Sequence, residues 1–214
     1  MPSPPVRVVW VPGLGLDERS AARVRDRVPV AVVRLPGMGL SGPVPPLAAL
    51  ADRLLAEAGE GPVVLVGHSQ SCQVVAIAAH HPRVRAVVLF GPTTDPRLRR
   101  FRGLVGRWLA TAWAEPWRQA PLVLRQWWRT GPRAMVALWR TAAPHRIDRS
   151  LSGVRVPVAV VRGTRDRLCP HDWAAGLASA APVGSLVEIP GAAHMTPHTH
   201  PDDVAAALRE VAGT

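Results

Sequence analysis

Three residues that lie far apart in the chain, Ser69, Asp166 and His194, carry side chains whose types suit nucleophilic acyl chemistry. A serine hydroxyl is a poor nucleophile until an imidazole takes its proton. The imidazole in turn needs a carboxylate to fix its tautomer and stabilise its charged form. Ser69 sits in Val63-Val64-Leu65-Val66-Gly67-His68-Ser69-Gln70-Ser71, an apolar run that passes through Gly-x-Ser-x-small into an Ala- and Val-rich stretch. Such a strand-turn-helix junction holds the serine in a strained backbone conformation with its hydroxyl exposed, and small residues on either side let strand and helix approach closely. The second small residue is Ser71 where glycine is usual, so a tighter fit is expected there. A serine in an ordinary strand-to-helix turn is the plainer alternative, which Gly-x-Ser alone does not defeat.

Asp166 follows the apolar run 156–161, within Arg162-Gly163-Thr164-Arg165-Asp166-Arg167, and His194 follows the run 185–189, within Pro190-Gly191-Ala192-Ala193-His194. Both positions fall just past strand ends. Asp166 could instead pair with Arg165 or Arg167 at the surface, and Asp95, in an Asp-Pro turn, is the rival acid. His198 and His200 are the rival histidines. Their His-x3-His-x-His spacing with His194 admits a metal, but no acidic partner or second motif joins it, so neither metal nor cofactor is expected. His68 is expected to brace the turn. The first run ends in Trp10-Val11-Pro12-Gly13-Leu14-Gly15-Leu16-Asp17, a Gly-rich loop that can turn the Leu14 amide toward a developing oxyanion, with the Gln70 amide as second donor. Gly13-x-Gly15 is not a dinucleotide fingerprint, because Glu18 stands where the third glycine is needed.

These residues need a scaffold. Six Val- and Leu-rich runs, at 6–11, 30–35, 63–66, 84–90, 156–161 and 185–189, read as strands, and their nearly unbroken apolar character implies a parallel sheet covered on both faces. Segments 17–28, 47–58, 70–81, 172–180 and 201–211 have helical composition and starts. The alternation predicts an α/β fold. Segment 93–150 breaks the alternation. It holds six of the eight tryptophans, and twelve arginines against Asp95, Glu115 and Asp148, a net +9 of the chain's +11. It is expected to be an inserted helical lid on a single domain whose core is 1–92 and 151–214. Trp108, Trp113, Trp117, Trp127, Trp128 and Trp139 would either line an acyl pocket beneath the lid or pack it onto the body.

With 214 residues, 48% of them hydrophobic, the chain supports one substantial core. Cys72 and Cys169 are in no disulfide or metal pattern. The start Met-Pro-Ser-Pro-Pro lacks a basic n-region before an apolar stretch, and the longest apolar runs fall far short of the roughly 18 residues that span a bilayer. A cytoplasmic protein without a transmembrane segment is expected. All 26 basic residues are arginine, and Lys, Asn and Tyr are absent, so GC-rich coding explains part of the basicity. No nucleic-acid motif accompanies the charge, and no nucleic-acid partner is expected.

Together these residues resemble the α/β-hydrolase superfamily over nearly the whole chain. Ser, Asp and His occur in that fold's order. Pro12-Gly13 stands where many members have His-Gly, and Leu35-Pro36-Gly37-Met38-Gly39-Leu40-Ser41 is similar to the Gly-x-Gly-x-Ser segment after the family's next strand. The resemblance implies an α/β-hydrolase fold that begins at the family's third strand, hence a mainly parallel six-stranded sheet, with a lid where 93–150 falls. A serine nucleophile speaks against epoxide hydrolases and haloalkane dehalogenases, which use Asp. The lack of Tyr removes the lid tyrosines of the former, and the lack of Lys disfavours lysine-dependent hydroxynitrile lyases. The expected reaction is hydrolysis of a small-molecule carboxylic ester or thioester through an acyl-enzyme on Ser69. The arginines fit a substrate that is acidic or is carried on coenzyme A or a carrier protein, a solvated basic face being the plainer alternative. Acyl transfer or cyclisation on the same triad, and a non-catalytic binding protein, are the other readings.

Overall fold

Runs that are apolar on both sides must sit in a sheet covered on both faces, and the arrangement meets that demand. The computed structural model describes residues 6–98, 106–107, 110–111, 113 and 115–213. Its strands are β1 (Arg7–Val11), β2 (Ala31–Val32), β3 (Leu35–Pro36), β4 (Gly39–Leu40), β5 (Val63–His68), β6 (Val84–Phe90), β7 (Val158–Gly163) and β8 (Gly184–Ile189). Six form one sheet in the order β2-β1-β5-β6-β7-β8, with every neighbouring pair parallel. This is the α/β-hydrolase architecture.

Successive strand residues face opposite sides, so each strand feeds two cores. Val9, Leu65, Val87 and Val160 meet α2 (Leu47–Glu57), α3 (Cys72–Ala78) and α7 (His171–Ala180); Trp10, Val64, Val88 and Val161 meet α1 (Ala22–Arg25) and, beyond the short α8 (Thr196–Thr199), α9 (Pro201–Ala212). Two sequence expectations shift. The run 30–35 does not form one strand: only Ala31 and Val32 join the sheet. Leu35 and Pro36 pair with Gly39 and Leu40 instead, since Pro36 has no amide to donate and Gly37 turns the chain at φ 80°. The segment 17–28 likewise breaks into a 3-10 turn, Glu18–Ala21, capped by Asp17, followed by the single-turn α1.

Between β6 and β7 the chain inserts α4 (Ala120–Thr130), α5 (Pro132–Ala142) and α6 (Ile147–Leu151). Trp108 of the expected lid lies outside the described residues. The inserted helices grip the loop after β1. The Asp17 amide donates to Gln126 Oε1 (2.8 Å), and Thr130 Oγ1 donates to the Gly15 carbonyl (3.0 Å). Gly15, at φ 73°, has no room for a side chain, since a Cβ there would lie 2.6 Å from Trp127. On the other side of the loop, buried Leu138 of α5 fills the space over Gly37. The position of Leu14 is thus set by contacts more than a hundred residues away in sequence. Among the described residues, no helix is long and apolar enough to cross a membrane.

The sheet order makes a stability prediction. Leu65, fully buried in β5 between β1 and β6, should cost about 2–5 kcal/mol when truncated to alanine, whereas half-buried Val187 on edge strand β8 should cost only about 1 kcal/mol. Denaturant unfolding of the two variants measures the contrast. Equal losses would contradict the strand order.

Candidate active site

The chain leaves β5 through a backbone conformation that L-residues avoid. Ser69 has φ 57°, a strain of about 1–3 kcal/mol that surrounding structure must hold in place. Gly67 permits the turn: a Cβ there would lie 3.0 Å from Cys72 Cα and 3.1 Å from its amide nitrogen. Ser71 does more than fit tightly. Its buried hydroxyl donates to the Val11 carbonyl (2.8 Å) and accepts from the His68 amide (2.8 Å), lashing the turn to the end of β1. Glycine could make neither bond.

Ser69 Oγ stands 2.8 Å from His194 Nε2, and His194 Nδ1 stands 2.7 Å from Asp166 Oδ2. A carboxylate only accepts, so the imidazole proton sits on Nδ1 and Nε2 is left to take the serine proton. The structure therefore brings together the three residues singled out from sequence. The carboxylate's other oxygen accepts from the Leu168 (2.8 Å) and Cys169 (3.1 Å) amides. Buried Arg162 ties the Asp166 loop down through the Cys169 (2.7 Å) and Asp166 (3.2 Å) carbonyls. Two glycines make room for the pair. At Gly91 a Cβ would meet Asp166 Oδ2 and His194 Nδ1, each at 3.0 Å, and at Gly163 it would run into the Ala192 carbonyl oxygen.

Burial opposes charge on both partners, yet their mutual attraction outweighs it. The Asp166 carboxyl is held below its usual range by His194 and the two amides, against desolvation. Desolvation also opposes protonation of the His194 imidazole, but the Asp166 charge and hydrogen bond, with help from Glu115, lift it above its ordinary value. His68 behaves oppositely. Burial, with His194 beside it, pushes it down to about 3, so it is neutral and its Nε2 donates to the His194 carbonyl (3.1 Å). His68 braces the histidine loop.

Other candidates lie elsewhere. Asp95 is engaged by Arg97, with Oδ2 2.6 Å from the guanidinium and Oδ1 accepting the Arg97 amide (2.9 Å). His200 Nδ1 is 2.9 Å from Thr199 Oγ1. The loop after β1 comes against the turn, where a Cβ on Gly13 would lie 3.1 Å from the Ser69 Cβ. Leu14 and Gln70 both border the same cavity as Ser69 and His194, and the Gln70 amide, in the first turn of a helix, has no intrahelical acceptor by position.

That cavity holds about 440 Å³ and is mainly apolar, walled by Leu14, Leu16, Val123, Leu124, Trp127 and Trp139. Trp117 also borders it, whereas Trp113 and Trp128 are exposed and do neither of the two jobs expected of the segment's aromatics. Glu115, which sequence reasoning counted only among the segment's few acids, stands at the site. Its Oε1 accepts the Met195 amide (2.6 Å) and its Oε2 accepts from Gln119 (3.3 Å), and burial raises its carboxyl above the usual value. The available signal was a lone acid in a stretch of Trp and Arg.

The sequence pattern of the Alpha/beta hydrolase family matches residues 8–207. No curated protein matches the chain. Among solved structures, a bromoperoxidase from Bacillus anthracis superposes with TM-score 0.77 at 18% identity over 99% of this chain and 93% of its own. A hydrolase from Oleispira antarctica does so with TM-score 0.78 at 15% identity, over 99% and 92%, and an esterase from Thermogutta terrifontis with 0.72 at 20%, over 97% and 89%. At these identities the likeness is one of fold.

The electrostatics predict a pH profile. For any reaction in which Ser69 passes its proton to it, His194 must start neutral, and its folded value is raised, so turnover should be full well above the ordinary imidazole value and fall as pH drops through a midpoint higher than about 6.5. Glu115→Gln keeps an acceptor for the Met195 amide but removes a negative charge that favours the imidazolium, so the acid limb should move to lower pH. An unchanged limb would mean that Glu115 exerts no field on His194.

Proposed function

The chain belongs to the alpha/beta hydrolase family, and on that premise we propose that it is a serine hydrolase that cleaves a carboxylic ester or thioester through an acyl-enzyme on Ser69. The observation that carries this reading is the unbroken line of hydrogen bonds from Ser69 Oγ through His194 to Asp166. Ser69 Oγ attacks the substrate carbonyl carbon while its proton passes to His194 Nε2. The oxyanion of the tetrahedral intermediate is held by the Leu14 and Gln70 amides. Collapse expels the alcohol or thiol, which takes the proton from His194, and leaves the acyl group on Ser69. Water then gives a proton to His194 and attacks the acyl carbon, and the second collapse returns the proton to Ser69 Oγ as the acid departs.

The mainly apolar cavity walls favour a small-molecule substrate with an apolar acyl group, its reacting carbonyl placed where the cavity reaches Ser69 and His194. Segment 93–150 acts as a lid over this space, a reading supported by its bonds to the loops on both sides of the serine, at Asp17 and at Met195. Water excluded by such a cover strengthens the electrostatic interactions beneath it.

A fluorophosphonate probe should label the wild-type chain and not Ser69→Ala, and Ser69→Ala should lose about 10⁴-fold or more in ester turnover. In a panel of p-nitrophenyl esters and acyl-coenzyme A thioesters of graded length, acyl chains that fill the apolar cavity should be turned over faster than acetyl. Absent labelling, or equal turnover by Ser69→Ala, would remove the proposal.

A further inference from the structure

The apolar cavity does not stop at the molecular surface. Trp117 and Leu124 border it, yet they are 80% and 60% exposed, and Trp128, one helical turn beyond Leu124, is 86% exposed. Residues four apart share a helix face, so Leu124 and Trp128 form an outer apolar stripe on α4. Arg125 and Arg129 form the adjoining stripe and are also exposed. Trp113, four residues before Trp117, is 88% exposed. Tryptophans this exposed are not core residues on a monomer's ordinary surface.

The charge beside them is unneutralised. Some arginines elsewhere in the structure pair with acids, as Arg27 does with Asp202, Arg53 with Glu57, Arg97 with Asp172, Arg146 with Asp148 and Arg162 with Glu188. Among the described residues, no such pair involves Arg118, Arg125, Arg129, Arg133 or Arg140. Arginine-rich coding would raise the arginine count evenly along the chain, but twelve of the 26 arginines fall in segment 93–150, and between Glu115 and Asp148 the sequence holds no acid. Of fifteen acidic residues only three fall in segment 93–150, and one of them, Glu115, points into the site.

We propose that this outer face of α4 docks on an anionic lipid bilayer, with the cavity mouth turned toward the membrane. Indole rings settle at the headgroup level, where one side is apolar and the other wet, and arginines on the same face are drawn to anionic headgroups. A bilayer asks for no matching shape, which suits a convex helix that carries its apolar and basic stripes outward. An acidic protein would use the arginines but would need a complementary surface for each exposed ring. Docking is independent of catalysis by Ser69 and is tested without it.

The full-length Ser69→Ala chain is floated with vesicles of phosphatidylcholine alone or mixed equally with phosphatidylglycerol, and tryptophan emission is followed with lipids brominated along the acyl chain. Flotation with the mixed vesicles, weakened by salt and accompanied by bromine quenching, is the expected result. Trp113→Ser with Trp128→Ser should reduce it by at least about tenfold, and Arg125→Gln with Arg129→Gln by roughly ten- to thirtyfold. Circular dichroism and thermal melts check that these surface variants fold. No flotation, or flotation indifferent to both double variants, overturns the proposal. So does binding of soluble polyglutamate without binding of vesicles, which would indicate an acidic protein partner, or a concentration-dependent dimer that buries these tryptophans.

Discussion

The left-handed backbone at Ser69 is the constraint from which the rest of the site follows. A residue at φ 57° relaxes unless its neighbours leave it no alternative, and here three contacts remove the alternatives. Gly67 lets α3 press against β5, Ser71 bonds both to the turn and to β1, and Gly13 lets the loop after β1 come against Ser69 itself. The same twist that aims the hydroxyl at the cavity leaves the next amide at a helix start, where it has no acceptor within the helix. In the proposed mechanism, nucleophile and oxyanion donor are thus two results of one backbone distortion.

The second requirement is electrostatic. A carboxylate and an imidazole have been taken out of water together, and burial alone would leave each neutral. Two backbone amides on one oxygen of Asp166 and the His194 ring on the other keep the carboxylate charged against that tendency, and its charge in turn favours protonation of the imidazole, while Arg162 fixes the loop through its carbonyls without spending its charge on the Asp166 carboxylate. The arrangement depends on absent side chains as well. Gly91 and Gly163 occupy the points where a methyl group would push into the pair or into the loop that carries the histidine.

Much of this was legible in the sequence, for identifiable reasons. Strand runs such as 63–66 and 84–90 are apolar enough to announce burial, and the junction after β5 carries small residues where strand and helix backbones come close. Asp166 and His194 could be placed because each follows a strand end. What stayed hidden was long-range. Nothing local to Gly91 tells that an imidazole will stack over it, and nothing near Glu115 tells that its carboxylate will cap an amide eighty residues away. Edge pairing was also illegible: 30–35 is as apolar as a central strand, but Pro36 and Gly37 divert its end into a separate pair of short strands. The six tryptophans of segment 93–150 were counted together, although the fold gives the five described ones different surroundings, which only helix phase and packing decide.

The inserted helices show why those different surroundings belong to one design. Gln126 and Thr130 of α4, with Glu115 ahead of it in the chain, bond to the Asp17, Gly15 and Met195 backbones, so the loops flanking Ser69 are held by the insertion as well as by the sheet. Trp127 packs inward on Gly15, while its sequence neighbour Trp128 faces outward. One helix of about three turns therefore carries on its inner side the contacts that shape the site and on its outer side an apolar and basic surface. A force on the outer face would reach the loop that carries Leu14 through side chains already in contact with it. A partner seated on those exposed rings would consequently lie one helix away from the loop that carries Leu14.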